Sequence, residues 1–128
     1  MNVAEVAIVC LVTTLFVGMG FSFAAFRSFD RLLRIEHLKH REEWERDGSP
    51  IGFFWVPPGA KTFSGSLVRS ELLSVWASAR PSWVEGDIEA LEAYAVFKRL
   101  SRFTNWVTLT FIGGFALMWV VIIVFLSR

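Results

Sequence analysis

The sequence predicts an all-α membrane protein: a two-transmembrane helical hairpin whose helices extend into a small cytoplasmic helical region. Three observations predict it. Two uncharged runs of 21 residues, Val6–Phe26 and Trp106–Leu126, stand near the two ends of a 128-residue chain. The 54% apolar share is high for a soluble domain, and much of it is concentrated in those runs. The basic residues beside the runs lie almost entirely on their inner sides.

Each run makes a helix of roughly 31 Å at about 1.5 Å per residue, enough to cross a hydrocarbon core. In lipid the helix is forced, because every backbone polar group must be paired internally. The run 6–26 reads as a retained span and not a cleaved signal, since Met1–Glu5 carries an acid and no Lys or Arg. Arg27, Arg31, Arg34, Lys39, Arg41, Lys98, Arg99 and Arg102 flank the inner ends, against Arg128 alone outside. That bias predicts a cytoplasmic segment over 27–105 and both termini on the outer side of the membrane, which is the periplasm if the membrane is the bacterial inner membrane that the resemblance given below implies. Small residues give each span a candidate packing face: Gly18 and Ser22 on the first, Gly113 and Gly114 on the second. Packing between the two spans of one chain is favoured over self-association there.

Between the spans, a solvated helix is expected over 28–46, supported by Glu42–Arg46 and Lys39–Glu43 pairs and stopped at Asp47-Gly48-Ser49-Pro50. An aromatic Pro/Gly-rich loop follows over 48–65. Its Phe53, Phe54 and Trp55 need an apolar surrounding that proline and glycine prevent a long helix from supplying. Burial in the protein's own fold is favoured, then contact with the membrane interface, then a partner. A helix is expected over 67–79, with Val68, Leu72, Val75, Trp76 and Ala79 as its apolar stripe. Arg80-Pro81 ends it. A last helix begins near Asp87, turns Ile88, Leu91, Tyr94 and Ala95 inward, and runs into the second span.

Several function classes lose ground on composition. A net charge of +1 gives no basic field to recruit nucleic acid. The single cysteine, Cys10, excludes an intrachain disulfide and a cysteine metal cluster. No nucleophile elbow, phosphate loop or HExxH pattern is present, so no catalytic residue, cofactor or small-molecule substrate is expected. The spans hold no ionisable side chain of the kind coupled transporters use. His37 and His40, three apart beside Glu36 and Glu43, are the one candidate for a divalent metal. Solvated histidines on a charged helix are the favoured account of them, and no metal is expected.

The segment Trp44-Glu-Arg-Asp-Gly-Ser-Pro-Ile-Gly-Phe-Phe54, followed by Leu73-Ser-Val-Trp76, resembles the bacterial universal stress protein B family. The layout of span, charged helix, glycine turn, paired phenylalanines, Trp-bearing helix and span covers nearly the whole chain. Ser49-Pro50 and Pro57-Pro58 depart from that pattern. The resemblance implies a two-span inner-membrane protein linked to stationary-phase stress tolerance, and it carries over no catalytic residue. The expected function is therefore non-enzymatic association, with itself or with a larger membrane complex, through Phe53, Phe54, Trp55 and Trp76. A metal-dependent membrane enzyme using His37 and His40, or a homo-oligomeric channel, are the alternatives.

Overall fold

The computed structural model describes residues 2–126, with side chains through Val124; Arg128, counted above among the flanking bases, lies outside them. The chain is all-α. Helix α1 (Val3–Lys39) is followed by the short α2 (Arg41–Arg46), then α3 (Thr62–Ser78), a 3-10 turn (Ser82–Gly86) and α4 (Ile88–Leu126).

Helix α1 starts on a capping box. Asn2 Oδ1 accepts from the Glu5 backbone N–H at 2.9 Å, and Glu5 Oε2 accepts from the Asn2 N–H at 3.0 Å. With no proline and no charge to interrupt it, the helix runs through the first apolar block into the polar segment. Helix α4 returns beside it in antiparallel register. Lys39 meets Glu89, Phe29 meets Phe97, Phe21 stacks on Phe103, and Gly18 faces Val107.

The two long helices divide into two regimes. The apolar window of each is long enough to cross a membrane, and 0% of either window is buried within the chain. A core helix of a soluble domain would show the opposite. Apart from Ala25 at the end of the first apolar run, the buried core among the described residues lies in the polar half, the cap, where Phe29, Leu32, Leu33, Trp44, Trp76, Val84 and Phe97 cluster. A cap built on a cluster of 13 buried residues is small, and it relies on α1 and α4 as its walls.

Four sequence expectations are corrected here. The helix over 28–46 breaks at His40 (φ −128°, ψ 52°), and it is not simply solvated: Phe29, Leu32, Leu33, Ile35 and Glu36 are buried. The break goes with burial of Trp44, whose indole N–H donates to the Pro50 carbonyl at 3.0 Å. The two expected ion pairs are replaced. Lys39 reaches Glu89 (2.6 Å) and Asp87 (3.4 Å) on α4, while Glu43 takes Arg46 and Arg41 takes Glu45. Helix α3 begins at Thr62, so the last residues of the expected loop are helical, and Val75 and Ala79 of its stripe stay exposed. On α4 the inward face is Ala90, Ala93, Tyr94 and Phe97; Ile88 and Ala95 are exposed.

Candidate functional site

The aromatic loop is fixed from below by one carboxylate. Asp30, buried on α1, accepts the backbone N–H groups of Phe53 and Phe54, each at 2.7 Å. Charge-assisted bonds of this kind are about twice as strong as neutral ones. They satisfy donors that an irregular apolar loop would otherwise leave unpaired. The approach needs Gly52: a Cβ there would stand 2.6 Å from the Asp30 carboxyl. Asp30 carried no signal in the sequence, where it reads as one more charge on a charged helix. A two-residue reach from a helix carboxylate to a loop is visible only once the loop's path is known.

Around that anchor the three loop aromatics part company. Phe53 stacks on Phe26 with centroids 4.0 Å apart, meets the edge of Phe29, and lies under the Arg69 guanidinium at 4.3 Å. Arg69 also donates to the Gly52 carbonyl at 3.0 Å, so its charge closes the loop from the α3 side. Trp55 packs on the core, between the His37 ring and Arg34. Phe54 turns outward, 58% exposed, against Phe23 of the apolar run (4.9 Å). The loop therefore sits level with the end of the first apolar block. Trp76 is buried, touching Phe29 and Trp83.

Below the loop, at the helix break, lies the most perturbed group of the cap. Glu36 is fully buried, and neither carboxyl oxygen makes a hydrogen bond of normal geometry. Burial, reinforced by the nearby Asp47 and Glu43 carboxylates, pushes its pKa up to about 9, opposed by the Trp83 indole. Glu36 is thus a neutral acid at pH 7. Asp47 is also raised, first by burial. The adjacent His37 is buried, and its Nε2 faces Arg41 Nη1 at 2.9 Å. Burial and that cation lower its pKa, so Nε2 accepts and the ring is neutral. His40 instead meets Asp87 Oδ2 at 3.3 Å, beside Lys39.

The two histidines are therefore neither solvated, as expected from the charged helix, nor convergent. Among the described residues, no group of three or more His, Cys, Asp or Glu could hold a metal ion. Of the small-residue faces, Gly18 packs within the chain: a Cβ there would stand 3.0 Å from Val107 Cγ1. Ser22 lines a cavity of about 390 Å³ between the helices, with Gly18, Thr14 and Thr108. Gly113 and Gly114 are exposed, with nothing within 4 Å of either Cβ position.

Comparison of the chain with protein-family models, with curated proteins and with solved structures returns no match.

Proposed function

We propose that the protein is a small, non-enzymatic protein of the bacterial inner membrane that works by association, with copies of itself or as an accessory subunit of a larger membrane complex. The basic residues beside the spans then hold the cap in the cytoplasm, with both termini in the periplasm. The resemblance around Trp44–Phe54 and Leu73–Trp76 adds a setting in stress tolerance.

One observation carries the reading. Helix α3 buries Leu72 and Trp76 and, on the diametrically opposite side, exposes Phe63 (80%) and Leu67 (62%) one turn apart. Placing a phenylalanine and a leucine in water forgoes burial worth about 1.5–3 kcal/mol each. Together they form the kind of apolar pair that anchors interfaces. The loop aromatics Phe53 and Trp55 are engaged inside the cap, so the contact surface shifts from them to α3, with Phe54 left at the level of the apolar run.

The test is the state of the full chain in lipid nanodiscs drawn directly from the expressing membrane. A defined homo-oligomer or a stoichiometric partner is expected. The Phe63→Ser/Leu67→Ser variant, whose positions lie outside the core, should lose it while keeping its helical content. A wild-type chain that is monomeric and alone overturns the proposal.

A further inference from the structure

Arg27, Arg31 and Arg34 follow the first apolar run at spacings of four and three, so they share one face of α1. All three are exposed, and among the described residues none forms an ion pair, which they share with Lys61, Arg69, Lys98, Arg99 and Arg102, whereas Lys39, Arg41, Arg46 and Arg80 are paired. They line a groove of about 550 Å³ whose remaining wall includes Phe23, Phe54 and Trp55. The acid in that wall, Asp30, has its two oxygens taken by the backbone N–H groups of Phe53 and Phe54. Arg34 lies over the Trp55 ring at 5.1 Å, which fixes its guanidinium over the groove.

Depth selects the ligand. Arg27 is the residue after the last uncharged one, and Arg34 lies roughly 10 Å further along the helix axis. The polar headgroup layer outside the hydrocarbon core is about 5–8 Å thick on each side, so Arg31, roughly 6 Å along, lies within it and Arg34 stands just beyond its outer edge, its long side chain able to reach back. Phe23 and the exposed Phe54 occupy the apolar side of the same groove, where glycerol and the first acyl carbons of a lipid would lie. Guanidinium forks match phosphate oxygens in pairs. We propose that this groove is a binding site for the phosphodiester headgroup of an anionic phospholipid in the leaflet next to the cap. Arg31 and Arg34 grip the phosphate and Phe54 packs on the glycerol end. The site requires membrane insertion, but it does not require the association proposed above.

A second basic groove, lined by Lys98, Arg99 and Arg102 on α4, provides the comparison. There Lys98 is already engaged with the carbonyls of Ala77 and Ser78. General attraction of bases to an anionic surface would treat the two grooves alike.

The experiment measures lipid retained by the full chain in native mass spectrometry, after exchange from micelles holding equal phosphatidylglycerol and phosphatidylcholine. Retention of one phosphatidylglycerol in preference to phosphatidylcholine is expected. Arg31→Gln/Arg34→Gln should lower that preference about tenfold or more, and Arg99→Gln/Arg102→Gln should leave it largely intact. Arg31→Gln alone repeats the test without touching the Trp55 contact. Equal losses in the two double variants reduce the effect to diffuse surface charge and overturn the site. So does lipid-independent binding of inorganic phosphate that displaces the lipid, which would make the groove a free-anion site.

Discussion

Gly52 and Asp30 form a unit that neither residue defines alone. Gly52→Ala places a methyl group 2.6 Å from the Asp30 carboxyl, so either the loop or the acid must move. Overpacking of this kind costs about 1–3 kcal/mol. Asp30→Ala removes the acceptor of two backbone N–H groups and should cost about 2–4 kcal/mol. Because both changes attack the same contact, the double variant should lose less than the sum of the two singles, as measured by thermal unfolding in detergent. Additive losses would show that the loop is held elsewhere. Glu36 gives a second prediction at this scale. Its folded pKa of about 9 stands above the ordinary 4.5, so the folded cap binds the extra proton between those values. Its contribution to stability is then complete below about pH 4.5, is lost as pH rises from there to about 9 by at most about 1.4 kcal/mol per pH unit, and is level above. His37, lowered from 6.5, acts in the opposite sense but only in the acidic range, where the unfolded ring charges. Lys39, Asp87 and Tyr94 are shifted outside the window from pH 7.5 to 9. In that window the wild type should lose stability as pH rises. Glu36→Gln should flatten the curve and be the more stable protein at pH 9. An unchanged slope in the variant would assign the titration to another group.

Helix α3 packs on α4, and Trp76 holds it to both walls. The ring touches Phe29 on α1 and Trp83 in the 3-10 turn, and the Trp76 carbonyl accepts from the Tyr94 hydroxyl at 2.9 Å. Trp76→Ala should cost about 3–5 kcal/mol. Amide exchange should then rise across 62–78 while the apolar half of α1 stays protected. Exchange that rises equally in α1 would mean that the cap unfolds as one unit with the spans. The same helix shows what the sequence made legible. Leu72 and Trp76 were readable as a buried pair from their spacing. The helix start was not, because Gly65 reads as a loop residue. In the structure Gly65 is helical, and a Cβ on it would stand 2.8 Å from Ile51, so the glycine serves a close approach of loop to helix. The His40 break and the 3-10 turn were equally hidden. Both depend on where Trp44 and Trp83 find cover, which is a property of the assembled cap and leaves no periodicity in the chain.

At the scale of the whole molecule, the apolar blocks and their antiparallel return were legible because lipid allows so few solutions for a long uncharged run. What the sequence left open was which small residues serve the hairpin itself. The structure separates them. Gly18 lies against Val107, whereas nothing lies within 4 Å of a Cβ on Gly113. Gly18→Ile must therefore push α4 away from α1, lowering the unfolding temperature of the hairpin without altering its copy number. Gly113→Leu fills open space on the lipid side and should leave the unfolding temperature of the isolated chain within about 0.5 kcal/mol equivalent of the wild type. If association uses the membrane-embedded face as well as α3, that substitution blocks a close helix approach and shifts the assembly to smaller species in nanodiscs. With both outcomes as expected, the hairpin would fold on Gly18 and the proposed association would use the surface around Gly113. Loss of folding in Gly113→Leu with assembly intact would reverse that division, and would mean that α4 turns its glycine face toward α1 once lipid surrounds the pair.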